Sequence, residues 1–411
     1  MMLSFSLSQK EHSGETFLLL STILSHSTKF DFLLPLSIKA DNWDDVKQRP
    51  KNIYLKEYKT FNNKLNLLKI EITELVREEN IQDDINFQKS VKSIIKKICG
   101  GQTIHYRKDT LIGMMKSYIS SKKDVIRLST QRRYIVFIRL LENFEGYLSR
   151  RIKLREVDNS LIQSFYRFGE EECYTESTLN RTVHFIKTVL NFCEKKGVRT
   201  NMRCLEIPRR TSRKRVIILT EQEIEKIKKT KVPGDLKCSK DWLLISCYTG
   251  QRISDFMRFN KSVLLSIKGR LCISFIQFKT QKEILMPLHP EVRQIIKKWG
   301  NSFPTPMDFK TYNEQIKKIG YLAGLNNRVL VRKKLRFRSR EAELEKWEVL
   351  SSHIGRRSFA SNFYGKIPTP LLMQATGHTT EQMFLKYINP VNHTRVIQLG
   401  NYFEQIYAKG A

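Results

Sequence analysis

Several features are missing from this sequence, and each absence excludes a class of protein. The seven cysteines form no C-x-x-C pair, which argues against a zinc site or a disulfide framework and favours a reducing compartment. No window approaches the roughly 18 apolar residues that span a membrane, and no basic segment followed by an apolar core opens the chain. Internal repeats and low-complexity segments are also absent. We therefore expect a cytoplasmic protein without membrane contact.

Acidic residues are too few to balance the basic ones. The 411 residues include 73 Lys and Arg against 41 Asp and Glu, a net charge of +32. So large an excess favours a polyanionic partner, because each phosphate contacted by a cationic side chain releases a bound counterion. A ribosome-associated protein, or a soluble protein that is merely basic, is the alternative. The length predicts two to three domains, each with its own core.

Residues 1–90 are predicted to form a small α+β domain. Three stretches of alternating apolar residues, separated at Gly14 and at residues 25–29, indicate an antiparallel sheet. Residues 54–75 carry an apolar stripe at spacings of three and four, which predicts a helix of about 25 residues whose stripe is ordinary core. Residues 99–101 mark a break before the next domain.

Residues 105–200 are predicted to form an all-helical domain. Their apolar residues recur at helical spacing, with Ser129 or Thr130 as the cap of one helix and Gly197 directly after the last. Basic side chains lie off these apolar stripes, where they would either be solvated or grip a DNA backbone. The candidates for DNA contact are Arg132, Arg133 and Arg181.

A basic segment separates this domain from the next. Residues 203–219 are predicted to be an extended linker that can run along DNA. Its candidate DNA-binding cations are Arg209, Arg210, Arg213, Lys214 and Arg215. Thr220 and Glu223 then form the T-x-x-E pattern of a capping box, which predicts that a third domain begins there and covers residues 220–411.

The third domain is predicted to be mixed α/β and mainly helical. Strand-like runs at residues 271–278 and 284–288 are joined by a short polar turn, and helices follow. Residues 331–340 hold six cations and no acid, which suits a hairpin or loop. The predicted fold class of the whole chain is therefore mainly α with small β-sheets.

Two short patterns in the first half of this domain place cations at defined positions. The segment T-G-Q-R-I-S-D follows an apolar helix and carries Arg252, with Asp255 three residues later as a predicted partner that orients the guanidinium. Lys279 lies in the turn between the two strands, eight residues before Pro287, and Lys282 is the alternative on the same turn. Each pattern alone would be weak evidence of a site.

Two further patterns follow in the second half. His353 and Arg356 are three residues apart, so one helical turn can aim both at a single ligand. Gly377 and His378 come next, and Tyr387 lies nine residues after His378. Taken singly, such a histidine or tyrosine is structural more often than catalytic. Together they form a set suited to phosphate chemistry, since no carboxylate completes a metal-ligand pattern.

In this order, and in a chain of charge +32, the four patterns resemble those of the tyrosine recombinases, or phage-type integrases. The resemblance covers about residues 105–400. It implies that Tyr387 attacks a DNA phosphodiester and forms a 3′-phosphotyrosine, while Arg252 and Arg356 hold the non-bridging phosphate oxygens. The implied reaction releases a free 5′-hydroxyl and keeps the bond energy in the phosphotyrosine, so no cofactor and no metal are expected.

The resemblance also assigns roles to the lysine and the two histidines. Lys279 would protonate the leaving 5′-oxygen, and His353 would assist proton transfer at the tyrosine. His378 would donate a hydrogen bond to the phosphate. Because no position of the set is lost, a DNA-binding regulator that keeps the fold without catalysis is the less favoured interpretation.

For the whole chain, the resemblance implies a site-specific recombinase that acts on double-stranded DNA as a tetramer. Residues 1–90 would bind separate arm sites, which favours a mobile-element integrase in the bacterial nucleoid. A DNA-bending accessory protein and an excisionase are further implied partners. A DNA invertase is the close alternative, and a type IB topoisomerase is a more distant one. Residues 391–407 are predicted to form a helical tail that docks on a neighbouring protomer or on its own domain.

Overall fold

The computed structural model describes residues 2–23, 29–52, 55–78, 84–101, 106–206, 216–335 and 338–388. The chain divides into two compact units. One unit comprises Met1–Arg210 with Lys334–Arg340, and the other comprises Thr211–Lys333 with Glu341–Ala411.

The first unit begins with an antiparallel sheet, as the alternating apolar residues predict. Its strands lie in the order β1-β2-β3, and a second sheet of two short strands, β4 and β5, follows. The strands are β1 Met2–His12, β2 Glu15–Ile23, β3 Lys29–Ile38, β4 Trp43–Asp44 and β5 Arg49–Pro50. Gly14 forms the first turn with φ of +79°, which glycine adopts without strain. Leu18, Leu20 and Leu34 are completely buried, so one face of the sheet contributes to a core.

Two helices, α1 Lys56–Glu78 and α2 Asp84–Cys99, pack on this core. The apolar stripe of α1 is core, as predicted, since Leu65, Leu68 and Ile72 are all buried. Helix α2 was not predicted, although its buried residues recur at spacings of four and three from Phe87 to Ile98. It ends at the predicted break before the helical part of the unit.

Four helices follow, which confirms the all-helical prediction for this region. They are α3 Leu111–Ser121, α4 Leu128–Leu148, α5 Asn159–Glu171 and α6 Glu176–Glu194. The predicted cap of α4 is wrong, because the helix begins at Leu128 and both Ser129 and Thr130 lie inside its first turn. Gln131 explains the earlier start, since its side-chain amide donates to two carbonyls of the preceding loop at 2.7 and 2.8 Å. Gly197 lies after α6 with φ of +80°, as predicted.

Arg151 ties α1 to the helical part of the same unit. Its guanidinium donates to Glu71 of α1 at 2.8 Å and to Glu145 of α4 at 3.3 Å, and it lies over the Tyr106 ring at 4.7 Å. Glu145 is completely buried, and desolvation raises its pKa to about 7. This buried ionic contact was not predicted, because Glu71 lies 80 positions before Arg151 in the sequence.

Within the described residues, the second unit contains eight α-helices, a three-stranded sheet and, apart from Lys334–Arg340, a two-stranded hairpin. In chain order the elements are α7 Glu221–Lys229, α8 Gly234–Thr249, α9 Ile253–Phe256, β6 Leu264–Ile267, β7 Arg270–Ile276, β8 Glu283–Pro287, α10 Pro290–Lys298, α11 Phe309–Leu322, β9 Arg328–Leu335, β10 Arg338–Glu345, α12 Ile354–Phe363, α13 Thr369–Thr376 and α14 Glu381–Leu385. The fold-class prediction, mainly α with small β-sheets, is confirmed.

Helix α8 is the centre of this unit. Trp242 and Ile245 are completely buried in it, and α7, α10, α11 and α12 pack around it. The predicted capping box at the start of α7 is present, because the Thr220 hydroxyl accepts from the Glu223 amide at 3.2 Å and the Glu223 carboxylate accepts from the Thr220 amide at 2.8 Å. The β7–β8 hairpin and the ends of α8 and α13 are the elements that carry the candidate site.

Some predicted features lie outside the described residues. They are residues 25–28 of the turn predicted at residues 25–29, the linker cations Arg209, Arg210, Arg213, Lys214 and Arg215, and the tail at residues 391–407. Within the described ranges, no helix has the length and apolar character needed to cross a membrane.

Candidate active site

The end of α8 positions the first arginine. Gly250 closes the helix in a left-handed conformation with φ of +67°, and a Cβ at this position would lie 2.4 Å from the Phe359 ring. Two residues later, Arg252 is the N-cap of the short helix α9. The pattern therefore needs a glycine two residues before the arginine for both conformational and steric reasons.

Arg252 is held by the end of β7. Its Nη1 donates to Oε1 of Gln277 at 3.0 Å, and its side chain is only 15% exposed. Oδ2 of Asp255 lies 4.0 Å from the same Nη1, while Oδ1 accepts from the Phe278 amide at 2.8 Å. The predicted role of Asp255 thus holds only in part. Its charge faces the arginine, but its hydrogen bond fixes the β7–β8 hairpin.

Arg356 is completely buried in α12 and is surrounded by neutral acceptors. Nη1 donates to the Gly250 carbonyl at 2.9 Å, and Nη2 donates to the Thr376 carbonyl at 2.7 Å. The Nε group has no hydrogen-bond partner among the described residues. Burial and the charge of Arg252 lower the pKa of Arg356 to about 10, so the side chain stays cationic at neutral pH. The buried N–H group at Nε is therefore available to donate a hydrogen bond to a phosphate oxygen, and the positive charge of the guanidinium would strengthen that bond.

His378 lies against Arg356 with a defined set of hydrogen bonds. Its Nε2 is 3.1 Å from Nη2 of Arg356, and its Nδ1 is 2.8 Å from the Thr376 hydroxyl. Because Thr376 gives its own proton to the Leu372 carbonyl at 2.6 Å, we assign the imidazole proton to Nδ1 and the acceptor role to Nε2. In this arrangement the predicted donation from Nε2 to a phosphate would require the ring to gain a proton or Arg356 to turn away. The pKa of His378 is lowered to about 3, mainly because burial desolvates the ring and to a smaller extent because positive charges lie nearby.

Tyr387 lies beside these two residues. Its ring is 5.4 Å from Cζ of Arg356 and 5.0 Å, between ring centroids, from His378. The flanking Phe384 and Ile388 are buried, whereas Tyr387 is half-buried. The buried stripe of this segment is therefore formed by its neighbours, and the tyrosine ring faces the arginine and the histidine.

His353 and Lys279 join the cluster through their charges. His353 directly precedes α12, and Lys279 is exposed in the turn between β7 and β8. His353 is partly open to solvent. The pKa of its ring is lowered first by desolvation and then by the charges of three arginines and of Lys279. Lys282, on the same turn as Lys279, acts instead on the pKa of His378. Hydrogen bonds and ring contacts thus link Arg252, Arg356, His378 and Tyr387, either directly or through one intervening residue, while the charges of Arg252, Arg356 and Lys279 act on His353.

Gln277 is a member of this site that the sequence analysis missed. Its side chain is completely buried, and its amide contacts both Arg252 and the Thr376 carbonyl. A glutamine two residues before a predicted turn lysine carries no signal of its own, because its partners lie 25 and 99 residues away. Within the described residues, no group of three or more His, Cys, Asp or Glu side chains could hold a metal ion.

The predicted DNA-binding arginines of the first unit are on its surface. Arg132 and Arg133 lie on α4 and Arg181 lies on α6, and all three are exposed. Their positions off the buried stripes are as predicted. Whether they contact DNA remains a prediction.

Comparison with protein families matches two successive parts of the chain. Residues 110–205 match the phage integrase SAM-like domain, and residues 217–393 match the phage integrase family. Comparison with curated proteins finds no match.

Several solved structures have the same fold. The Tn1549 transposon integrase in complex with a circular intermediate DNA has a TM-score of 0.52 and 14% identity, over 71% of this chain and 99% of that chain. The XerH site-specific recombinase bound to a palindromic difH substrate has a TM-score of 0.51 and 15% identity, over 84% and 96%. A lambda integrase dimer bound to a COC′ core site has a TM-score of 0.50 and 15% identity, over 68% and 95%.

The fold and the family matches define a site-specific recombinase of the tyrosine type. This chain belongs to the phage integrase family. The resemblance carried by the four sequence patterns is confirmed.

Proposed function

We propose that this recombinase is the integrase of a mobile element and that Tyr387 is its nucleophile. The observation that carries the proposal is the environment of Arg356. This cation is completely buried, neutral groups hold both of its terminal nitrogens, and its Nε has no partner within the described residues. The Tyr387 ring lies 5.4 Å from its Cζ, so a phosphate bound to the arginine would be next to a phenol.

The proposed reaction exchanges one phosphodiester for another. The Tyr387 oxygen forms a bond to phosphorus as the bond from phosphorus to the 5′-oxygen breaks, which leaves a 3′-phosphotyrosine and a free 5′-hydroxyl. Arg252 and Arg356 hold the non-bridging oxygens, whose negative charge increases in the transition state. A preorganised donor of this kind is worth about 2.7–4 kcal/mol. The reverse reaction, with a different 5′-hydroxyl, completes strand exchange.

Two proton transfers accompany this exchange. His353 accepts the proton of the Tyr387 hydroxyl, and desolvation lowers the pKa of its ring, which favours the neutral imidazole that this role requires. Lys279 gives a proton to the leaving 5′-oxygen. His378 holds Arg356 in place and, after a rearrangement, donates to the phosphate. The bond energy stays in the phosphotyrosine, so the proposal includes neither a cofactor nor a metal.

We assign each predicted domain a role in this reaction. Residues 220–411 are the catalytic domain, residues 105–200 bind the core site, and residues 203–219 link the two along the DNA. Residues 1–90 bind arm sites. The net charge of +32 and the exposed Arg132, Arg133 and Arg181 support contact with double-stranded DNA.

The assembly we propose is a tetramer on two DNA duplexes that proceeds through a Holliday junction in the bacterial nucleoid. A DNA-bending protein and an excisionase assist. The related Tn1549 structure contains a circular intermediate DNA and the XerH structure contains its difH substrate, which supports DNA as the partner here.

A nicked suicide substrate tests this proposal. The DNA is built from the ends of the element that carries the gene, with the nick near the crossover, and covalent complexes are resolved on a denaturing gel in EDTA. Wild-type protein should give a covalent band with a free 5′-hydroxyl, and Tyr387→Phe should give none. Tyr364→Phe is the matched control, because it removes a hydroxyl from the small core that also contains Phe384 and Ile388.

Either of two results would contradict the proposal. Tight binding without a covalent band from the wild-type protein, on a substrate with the true site, would indicate a DNA-binding regulator. A band that persists in Tyr387→Phe would mean that another residue is the nucleophile.

A further inference from the structure

Gln277 is a completely buried amide at the end of β7, and all of its polar atoms have partners. Oε1 accepts from Nη1 of Arg252 at 3.0 Å and from the Thr280 hydroxyl at 2.6 Å. Nε2 donates to the Thr376 carbonyl at 3.1 Å and lies 3.5 Å from Oε1 of Gln251. These partners fix the orientation of the amide. If the amide were flipped, its NH₂ group would face the two donors and its oxygen would face the Thr376 carbonyl.

The Thr376 carbonyl connects this amide to the second arginine. It accepts from Nε2 of Gln277 at 3.1 Å and from Nη2 of Arg356 at 2.7 Å, so both of its lone pairs are used. A continuous path of hydrogen bonds therefore runs from Arg252 through Gln277 and the Thr376 carbonyl to Arg356. Among the described residues, no carboxylate accepts hydrogen bonds from both guanidinium groups, although the Asp255 carboxylate lies 4.0 Å from Nη1 of Arg252.

The backbone of Gln277 also closes the turn that carries Lys279. Its amide donates to the Lys282 carbonyl at 2.9 Å, and its carbonyl accepts from the Gln281 amide at 2.9 Å. The same residue therefore fixes the base of the lysine turn and the direction of one arginine.

Gly377 makes room for the Gln277 side chain. A Cβ at position 377 would lie 2.6 Å from Oε1 of Gln277, and the residue has φ of +72°. A glycine is thus needed directly before His378 for two reasons: a Cβ would collide with the buried Gln277 amide, and the backbone at the end of α13 is left-handed.

We propose that Gln277 is a positioning residue that couples the two arginines, so that both guanidinium groups face one phosphate at the same time. The inference rests on the proposed function, in which Arg252 and Arg356 hold the non-bridging oxygens. Gln277 itself touches no reacting atom. Its loss should slow DNA cleavage by allowing Arg252 to turn, without weakening the binding of DNA by the rest of the protein.

Two substitutions at this position remove different parts of the contact. Gln277→Met keeps the length of the side chain and removes the hydrogen bonds of the amide group, while the two backbone hydrogen bonds of residue 277 remain possible. Gln277→Glu keeps an acceptor for Arg252 but loses the donor to the Thr376 carbonyl. Gln315→Met is the matched control, because this half-buried glutamine on α11 accepts its hydrogen bond from Ser239 rather than from a site residue.

The experiment measures the single-turnover cleavage rate on the suicide substrate at saturating protein, together with DNA affinity and thermal stability. Gln277→Met should cleave about tenfold to a hundredfold more slowly than wild type, with unchanged affinity. In an Arg252→Lys background the same substitution should cause little further loss, within about twofold, because the two residues act as a unit. Gln315→Met should cleave like wild type.

Gln277→Glu gives a second readout that a purely structural role would not change. A protonated carboxylic acid has a donor and an acceptor, like the amide, so the cleavage rate of this variant relative to wild type should rise as the pH is lowered. If Gln277→Met does not fold, this pH dependence alone decides the question.

Three results would overturn the inference. They are wild-type cleavage by Gln277→Met, an equal loss from Gln277→Met in the wild-type and Arg252→Lys backgrounds, and a loss that parallels reduced affinity or stability. A flat relative rate for Gln277→Glu would count against it as well. No covalent complex from the wild-type protein would instead contradict the proposed function, and the inference with it.

Discussion

Nη2 of Arg356 donates to Nε2 of His378 across 3.1 Å, and this contact binds a buried cation to a neutral imidazole. No carboxylate forms an ion pair with Arg356 in the part of the chain that the structure describes. A buried charge without a counter-ion is costly, and it persists only where the surrounding fold holds it. In the proposed mechanism a DNA phosphate becomes that counter-ion, so the free energy invested in burying Arg356 contributes to catalysis.

Replacement of Arg356 by lysine should abolish most cleavage while leaving DNA binding intact. A lysine keeps the charge but cannot supply donors in the planar fork that reaches the Gly250 and Thr376 carbonyls and a phosphate together. We expect cleavage of the suicide substrate to slow by about 10²–10³. Arg258→Lys, an exposed position in the same unit, is the control and should cleave normally. Equal rates for the two variants would contradict the role of Arg356.

The stability of the second unit should fall in mild acid because of His378. The folded ring has a pKa of about 3, whereas an unfolded histidine has a pKa near 6.5, so only the unfolded state takes up a proton between these values. The stabilisation is complete above the unfolded pKa and is lost progressively as the pH falls. From about pH 6.5 to pH 5 the loss should be about 2 kcal/mol.

The measurement compares wild type with His378→Asn, which has no titrating ring at this position. Denaturant unfolding can be followed by tryptophan fluorescence, because Trp242, Trp299 and Trp347 all belong to the second unit. The free energy of unfolding of wild type should depend more steeply on pH than that of the variant. Parallel curves would show that His378 is not buried in its neutral form.

Gly377→Ala should slow DNA cleavage more than Gly324→Ala, although both glycines have a left-handed backbone conformation in the same unit. Gly377 and Gly324 have φ of +72° and +67°, and left-handed backbone costs a non-glycine residue about 1–2 kcal/mol. Only at Gly377 would the new Cβ also meet the Gln277 amide, whereas nothing lies within 4 Å at Gly324. We expect both variants to be less stable in denaturant and only Gly377→Ala to slow cleavage. Matching cleavage rates would contradict the packing argument.

The leaving-group proton should come from Lys279 rather than from Lys282. Loss of a general acid costs about 10²–10⁴ in rate, so Lys279→Ala should be strongly impaired on ordinary DNA. A substrate with sulfur at the 5′-bridging position needs no proton, because a thiolate leaves readily. It should therefore restore cleavage by Lys279→Ala. If sulfur restores Lys282→Ala instead, the acid is the other lysine of the turn.

The sequence was sufficient to suggest candidate site residues wherever the candidates depend on spacing along the chain. Arg252, His353, Arg356 and Tyr387 are candidates because each lies in a short pattern that one helix end or turn can present. The small sheet and the helices were likewise predictable from alternation and helical spacing. These features depend on local geometry, which a sequence records directly.

Contacts between distant segments were not predictable in this way. Gln277 meets Thr376 from 99 positions away, and nothing near either residue signals that contact. Asp255 was expected to hold Arg252, but the Phe278 amide was a better-placed donor. The start of α4 was misplaced because a side chain inside the helix, Gln131, caps the loop before it. In each case a competing hydrogen bond decided the outcome.

The most direct test of the account is to identify the residue that carries the DNA. Covalent complexes from the suicide substrate are digested with nuclease and trypsin, and the modified peptide is sequenced by mass spectrometry. The account predicts a nucleotide joined through its 3′-phosphate to Tyr387, in the peptide that follows Lys386 or in one that spans it. A nucleotide on Tyr364 or any other residue, or attachment through a 5′-phosphate, would contradict it.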